Sequence, residues 1–212
     1  MRRRKIKLAN ERQFFIFSEW YTEICYFDQL KSILRKQNLK VLWNIWQISW
    51  VDLEKINLFK KSIYWKIKDN INFTEKDIKS TKSVIFYLLD IDWNNRDSYS
   101  QDNIKFIKRN FEDDHFKVFF SNKDFELWIL LHFLEYKKED WKYIEKITEI
   151  TKKDYKKWNC NIDFFREIIE EKLYTAIENW KKLEKYQKSR NINLKDKNPY
   201  TEVYKIFEEL EI

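Results

Sequence analysis

The hydrophobic residues in the first part of the chain form short continuous runs that predict buried β-strands. QFFIF at 13–17 and SVIFYLLDI at 83–91 have few polar positions, which is typical of parallel strands covered on both faces. FKVFF at 116–120 predicts another strand of this kind, and 40–48 fits one more. The pattern therefore predicts a sheet that contains these four strands.

The segments between these runs carry hydrophobic residues at helical spacing instead. Residues three apart share one face of a helix predicted over 22–36, namely Ile24, Phe27, Leu30 and Ile33. Further helices are predicted over 51–69 and 99–110. Because strands alternate with helices, the sequence predicts an α/β fold in which a Rossmann-like parallel sheet is flanked by crossover helices.

The pattern changes from residue 123 onward, where long amphipathic segments replace the short apolar runs. These segments are ELWILLHFLEY, DFFREIIEEKLYTAIENWKKLEKY and TEVYKIFEELEI. Pro199 stands just before the last of them, where a proline can open a helix. We therefore expect an α/β core over 1–122 and a helical C-terminal section over 123–212 that packs on the core as one structural unit.

The charge balance of the chain is basic. Lysine plus arginine number 42 and aspartate plus glutamate number 35, so the formal net charge is +7. This balance favours a polyanionic partner, DNA or RNA. Lysines such as Lys60, Lys108 and Lys117 either track a nucleic-acid backbone or form a solvated face.

Two further observations exclude whole classes of protein. The sequence has no apolar run of about 18 residues, so we expect a cytoplasmic protein without a membrane partner. Its two cysteines, Cys25 and Cys160, are far apart and in no ligand-like spacing, which excludes a disulfide framework or a zinc ribbon.

Three acidic residues fall at predicted carboxyl ends of strands, where open parallel sheets collect functional groups. Glu19 follows the first strand, and Asp90 and Asp92 lie at the end of the strand predicted over 83–91. Alternate residues at a strand end point the same way, so Asp90 and Asp92 can share one cation. A hard divalent metal relieves the repulsion between such carboxylates and supports chemistry on a phosphodiester. The alternative is a turn rich in Asp and Asn.

Several residues close to this edge have both a functional and a structural interpretation. Glu126 either adds an acidic ligand or opens a helix near the positive end of its dipole. His132 follows Trp128 by four residues, which favours a packed, hydrogen-bonded histidine over a ligand. Ser121 and Asn122 either contact phosphate or cap the next helix, and capping is the simpler interpretation.

Three stretches of the chain carry motifs that occur together in one protein family. FIFSEWYTEICYF at 15–27 is similar to a strand that ends in Glu-Gly, followed by Thr-Glu and an aromatic pair. FYLLDIDWNN at 86–95 is similar to an Asp-x-Asp motif. SNKDFELWILLHF at 121–133 resembles Ser-Asn-Pro-x-Phe-Glu-x-Trp ahead of Leu-Leu-His-Phe, with Lys123 in place of the proline. The chain therefore resembles the RloB-like proteins, whose core looks like a Toprim domain.

The resemblance implies a metal-dependent Toprim-type site. Its metal ligands, for Mg²⁺ or Mn²⁺, would be Asp90, Asp92 and Glu19. Its catalytic residues would be Glu19, as general acid or base, and Glu126. Its supporting residues would be Glu23 and His132.

The resemblance also implies a function in bacterial phage defence by abortive infection, with an ATPase partner encoded nearby. The leading hypothesis is a Mg²⁺-dependent nuclease or nucleic-acid-processing subunit, with nucleic-acid contacts from Lys117, Ser121 and Asn122. The alternative is a non-catalytic nucleic-acid-binding or sensor subunit that works with the ATPase. Either protein can assemble as a homo-oligomer. A primase-like polymerase is a further alternative, although no zinc or helicase signature accompanies it.

The chain contains no glycine and 10 tryptophans. An average glycine usage of about 7% would supply about 15 in a chain of this length. Trp20 follows Glu19 where the family has glycine, and Trp93 follows the Asp-x-Asp motif, whereas Trp128 stands where the family itself favours tryptophan. Either the site has diverged, or UGA codons for glycine have been translated as tryptophan.

Overall fold

The computed structural model describes residues 13–36, 42–47, 56–90, 101–122, 124–137, 142–152, 162–190 and 199–210. These residues form a five-stranded sheet with helices on both faces. The strands are β1 (Gln13–Ser18), β2 (Leu42–Gln47), β3 (Val84–Asp90), β4 (Phe116–Asn122) and β5 (Tyr200–Thr201). The helices in this part of the chain are α1 (Tyr21–Lys36), α2 (Ile56–Ile71), α3 (Glu75–Ser80), α4 (Gln101–Phe111), α5 (Glu126–Leu131), α6 (Tyr143–Thr151), α7 (Ile162–Ser189) and α8 (Tyr204–Leu210).

The strand order is β2-β1-β3-β4-β5, and the first four strands in this order run parallel to their neighbours. The four apolar runs that predict strands are therefore strands of one parallel sheet. The predicted helix over 22–36 is also present, and so are the parts of the 51–69 and 99–110 helices that fall within the described residues. The predicted α/β class with a helical C-terminal section is confirmed.

The last strand was not predicted from the sequence. β5 runs antiparallel to β4 and pairs Thr201 with Ser121 and Tyr200 with Asn122. The expectation that Pro199 opens the final helix is wrong, because Pro199 leads into β5 and α8 begins only after that strand. The C-terminal section therefore contributes a strand to the sheet as well as helices.

The two faces of the sheet are covered by two hydrophobic clusters, and β1 contributes to both. Phe14 and Ile16 pack in a cluster with residues of α1 and the helices from α5 to α8. Phe15 and Phe17 pack on the opposite face with residues of α2, α3 and α4. Burial of each such side chain contributes about 1.5–3 kcal/mol, so β1 is held from both faces. This fixes the point at which the chain leaves the sheet at Glu19.

Two helices in the described ranges were not predicted from the hydrophobic pattern of the sequence. α3 is only six residues long, which is too short for a hydrophobic period, and a capping box starts it. Thr74 Oγ1 accepts from the Asp77 amide at 3.3 Å, and the Thr74 amide donates to Asp77 Oδ2 at 2.7 Å. α6 buries only Tyr143 and Ile147. Short helices of this kind depend on local caps and on tertiary packing.

The C-terminal section packs directly on the core through α7. This helix contacts α1 and α5, and Asn179 on it donates from Nδ2 to the Leu131 carbonyl at 2.8 Å. Gln187 donates from Nε2 to the Pro199 carbonyl at 2.7 Å, which ties the end of α7 to the start of β5. No helix within the described ranges is long and apolar enough to cross a membrane.

Candidate functional site

Parallel strands β1, β3 and β4 bring their carboxyl ends to one edge of the sheet. Their register pairs Ser18 with Leu88 and Asp90 with Ser121. Glu23 and Asp90 at this edge interact electrostatically with each other, and each also interacts with Glu19, Asp124 and Glu126. We call these five residues the acidic rim: Glu19, Glu23, Asp90, Asp124 and Glu126. The predicted ligand Asp92 lies outside the described residues.

The ends of strands and the starts of helices position these carboxylates. Glu19 directly follows β1, and Gln47 at the end of β2 donates from Nε2 to the Glu19 carbonyl at 3.0 Å. Glu23 lies in the first turn of α1, Asp90 is the last residue of β3 and Glu126 is the first residue of α5. Helix starts favour negative charge, which is the local reason for Glu23 and Glu126. Their shared position at one edge is set by the tertiary fold and not by the local sequence.

Glu23 is the most deeply buried member of the acidic rim, with 1% of its surface exposed. Its Oε2 has no hydrogen-bond partner among the described residues. Burial holds the pKa of Glu23 well above its usual range, and repulsion from Glu126, Glu19 and Asp124 adds to the effect. A buried polar atom without a partner costs about 1–3 kcal/mol, so this oxygen lowers the stability of the protein unless something binds it.

Asp90 shares this electrostatic environment. Burial is the largest cause that raises the pKa of Asp90 well above its usual range. Repulsion from the other rim carboxylates raises it further, and Glu23 is the strongest of these neighbours. Glu23 and Asp90 therefore oppose each other's ionisation, as expected for carboxylates that face a common space.

Glu19 has one specific neutral partner. The Tyr87 hydroxyl donates to Glu19 Oε1 at 3.1 Å and orients the carboxyl group. Burial raises the pKa of Glu19 to about 7, although the hydrogen bond from Tyr87 lowers it. A carboxyl group with this pKa is present in both protonation states at neutral pH, which suits an acid or a base.

The donor atoms of the acidic rim fit a hard divalent cation. They are all carboxylate oxygens, and they include the Glu23 Oε2 that lacks a partner in the described part of the chain. No three His, Cys, Asp or Glu side chains among the described residues stand close enough together to hold an ion. The described rim therefore supplies charge and donor atoms but not a complete coordination group.

Asp124 is the rim residue that the sequence motifs did not single out. It lies two residues beyond the end of β4 and contributes to the raised pKa values of both Glu23 and Asp90. The rule that selected Glu19, an acidic residue just after a buried strand, also selects Asp124. In the Ser-Asn-Pro-x-Phe-Glu-x-Trp motif, Asp124 occupies the unspecified position before Phe125.

His132 is a packed core histidine, as its spacing from Trp128 predicted. Only 1% of its surface is exposed. Its Nδ1 donates to the Trp128 carbonyl at 3.0 Å, so Nε2 of the neutral ring accepts from the Tyr26 hydroxyl at 3.0 Å. Burial lowers the pKa of His132 to about 4. Both ring nitrogens are thus used within the core.

The three predicted nucleic-acid contacts fall in different environments. Ser121 and Asn122 are buried in β4, and the residue at the N-cap of α5 is Phe125. Ser121 Oγ instead forms a hydrogen bond with Thr201 Oγ1 at 3.0 Å, across to β5. Lys117 is partly exposed near the amino end of β4, at the opposite end of the strand from the acidic rim.

Two of the lysines that suggested a nucleic-acid surface make ion pairs within the protein. Lys60 Nζ lies 2.9 Å from Asp113 Oδ2 on the surface. Lys108 Nζ lies 3.0 and 3.2 Å from the two carboxylate oxygens of Glu202. Their positive charge is therefore partly neutralised before any polyanion binds.

Glu202 is buried directly after β5 and has donors for both of its oxygens. Besides Lys108, Lys205 Nζ donates to Oε1 at 2.6 Å and the Tyr200 hydroxyl donates to Oε1 at 2.9 Å. The Phe120 amide donates to Oε2 at 3.1 Å. Burial alone would raise the pKa of Glu202, but Lys108 and Lys205 outweigh it and hold the pKa below its usual range. We call this group the Glu202 site.

Trp20 separates Glu19 from the start of α1. Its surface is 53% exposed, so the ring lies largely in solvent and not buried between the rim carboxylates. Ser18 Oγ donates to the Trp20 carbonyl at 3.0 Å, which fixes the turn through its backbone. Trp93, the second tryptophan beside the predicted metal ligands, lies outside the described residues.

The family model of the RloB-like proteins matches residues 14–210. Because the match covers nearly the whole chain, the chain belongs to the RloB-like family, and the resemblance that its motifs suggested is confirmed. At the level of the family, this makes it a protein of the phage-defence type. Comparison with curated proteins and with solved structures gave no match.

Proposed function

We propose that this chain is a metal-dependent nuclease, or a nucleic-acid-processing subunit, of a phage-defence system. The observation that carries the proposal is the acidic rim, where Glu23 Oε2 is buried without a partner among the described residues. Burial there, together with repulsion between the carboxylates, raises the pKa of Glu23 and of Asp90. Such an arrangement is stabilised by a bound cation. The formal charge of +7 supports a polyanionic substrate, DNA or RNA.

The residues that would hold Mg²⁺ or Mn²⁺ are Asp90, Asp92 and Glu19, with Glu23 and Glu126 beside them. The metal, when bound, would lower the pKa of a water molecule and stabilise the charge that develops at phosphorus. Glu19 accepts or returns a proton at the oxygen that the Tyr87 hydroxyl does not occupy. Tyr87 keeps that carboxyl group in one orientation through its 3.1 Å hydrogen bond.

Cleavage assays with single- and double-stranded DNA and RNA test this function. We expect cleavage with Mg²⁺ or Mn²⁺ and none after chelation. Asp90→Ala and Asp92→Ala each remove a proposed ligand and should lower the rate by about 100-fold or more. Asp69→Ala, at an exposed position of α2, is the matched control and should cleave at the wild-type rate. Unchanged cleavage in both Asp90→Ala and Asp92→Ala would overturn the assignment.

The second candidate is a non-catalytic nucleic-acid-binding or sensor subunit that works with an ATPase partner. It is favoured by the finding that no three described carboxylates form a metal-binding group. This candidate predicts that the protein binds nucleic acid or the ATPase equally well with and without Mg²⁺. Binding that survives chelation, together with an absence of cleavage, would select it over the nuclease.

A further inference from the structure

The chain combines many tryptophans with few of the amino acids that G- and C-rich codons encode. It has no glycine, two alanines (Ala9 and Ala176) and one proline (Pro199), against 10 tryptophans. Glycine, alanine and proline codons all begin with a pair of G or C bases, so their scarcity indicates a gene rich in A and T. The tryptophan codon UGG is also rich in G, so this bias predicts few tryptophans. An excess of them is explained if most stand at UGA codons.

The ring at position 180 on α7 lies closer to its neighbour than aromatic rings pack. The Trp180 and Tyr204 ring centroids are 2.9 Å apart with an interplanar angle of 18°. Carbon atoms pack at about 3.5–4.0 Å and stacked aromatic pairs at about 4.5–7 Å between centroids, so these two rings overlap. Glycine at this position gives up the hydrogen bond from Trp180 Nε1 to the Thr201 carbonyl and removes the overlap.

Position 20 carries a ring that contributes little to the core. Trp20 is 53% exposed, although Glu19 and Glu23 on either side of it are buried. The turn around it is already fixed by Ser18 and Gln47, which donate to backbone carbonyls of residues 20 and 19. No tryptophan in the described part of the chain has a positive φ, so the backbone angle does not require glycine there. The effect of glycine would be on access, since a residue without Cβ lets a ligand approach the backbone.

Position 128 on α5 differs from both of these positions. Trp128 is fully buried and stacks on Phe207 with a centroid distance of 5.2 Å and an interplanar angle of 28°. His132 packs against its edge at 5.4 Å. These are ordinary aromatic separations, and the site is built around a large ring. The Trp128 ring therefore packs at ordinary distances, although its Nε1 has no hydrogen-bond partner among the described residues. The Trp180 ring does not pack at such a distance, and the Trp20 ring lies largely in solvent.

We propose that UGA is read as glycine in the cells that make this protein, so that positions 20 and 180 are glycine there and position 128 is tryptophan. Glycine at 20 leaves the backbone beside Glu19 bare and makes it a position of close phosphate approach in the acidic rim. That consequence at position 20 rests on the proposed function. The identities of the two residues do not.

Peptide masses of the native protein, isolated from its own cells and digested with trypsin, test the proposal together with the gene sequence. Peptides 13–31 and 173–181 contain positions 20 and 180, and peptide 124–137 contains position 128 as the matched control. We expect the glycine mass in the first two peptides, the tryptophan mass in the third, and UGA at codons 20 and 180. A tryptophan mass, or a UGG codon, at position 20 or 180 overturns the proposal. None of these readouts depends on metal binding or on cleavage, so they can overturn this proposal without overturning the proposed function.

Thermal unfolding of the full chain gives a second, independent readout. Trp180→Gly and Trp128→Gly remove the same side chain from two buried positions. Large-to-small substitutions in a well-packed core lower stability, so Trp128→Gly should unfold at a lower temperature. Trp180→Gly relieves overpacking, which offsets part of the cost of a lost hydrogen bond and of a glycine inside a helix, so its unfolding temperature should fall by less. A decrease for Trp180→Gly equal to that of Trp128→Gly would contradict the assignment at position 180.

Discussion

The acidic rim and the Glu202 site both bury carboxylates beside the carboxyl end of β4, and they do so in opposite ways. Glu202 is surrounded by donors, two of them lysines, and its pKa is lowered. Glu23 is buried without a cationic partner in the described part of the chain, and burial together with repulsion from other carboxylates raises its pKa. The first arrangement stabilises the fold by itself. The second lowers stability and is expected where a protein keeps a place for a cation.

Divalent cations should produce the largest difference between the two regions. At a Mg²⁺ concentration of about 100 times Kd, binding to the folded protein stabilises it by about 2.7 kcal/mol. We expect thermal unfolding to show this gain in the wild type and in Glu202→Gln, and to show little of it in Asp90→Asn, which removes a proposed ligand. An equal gain in Asp90→Asn would place the ion somewhere other than the acidic rim.

Neutralising Glu202 should have the next largest effect, a loss of stability. Glu202→Gln keeps the shape of the side chain but leaves Lys108 and Lys205 without a buried countercharge. Because both lysines are partly exposed and can be rehydrated, we expect a loss of about 2 kcal/mol in the free energy of unfolding, below the range for a fully buried pair. Denaturant unfolding measures it. Glu171→Gln, at an exposed position of α7, should leave the midpoint unchanged.

Neutralising Glu23 should have the smallest effect and the opposite sign. Glu23→Gln removes one charge from a group of like charges, so the metal-free protein should gain about 1 kcal/mol at neutral pH. The folded-state pKa of Glu23 is raised, so the wild type loses stability as pH rises above the ordinary value of 4.5. The gain in the variant should therefore disappear as pH falls below 4.5. A gain that is constant with pH would show that charge is not its cause.

The sequence predicted the parallel strands well because both faces of the sheet are covered. Continuous apolar runs at β1, β3 and β4 are typical of strands in such a sheet, and the rule that functional groups collect at strand ends then selected Glu19 and Asp90. β5 could not be predicted in this way, because two residues carry no hydrophobic period. Its pairing with β4 also explains why Ser121 forms a cross-strand hydrogen bond and not a cap.

The electrostatics of the rim depend on more than strand ends. Glu23 is within reach of Asp90 because of the direction in which α1 leaves β1, and a sequence motif does not report that direction. Asp124 shows the same limit of prediction from sequence. Its position after β4 was readable from the sequence, whereas its effect on Glu23 and Asp90 follows only from the folded sheet.

The antiparallel pairing of β4 with β5 also has a consequence for synthesis of the protein on the ribosome. Ser121 and Thr201 are separated by 80 residues, and the Phe120 amide reaches Glu202 across 82. A nascent chain can form the four parallel strands long before the segment that covers the outer edge of β4 has been made. During that interval the edge offers unpaired amides and carbonyls to other chains, which is a known route to aggregation. Closing contacts of such long sequence separation also slows folding.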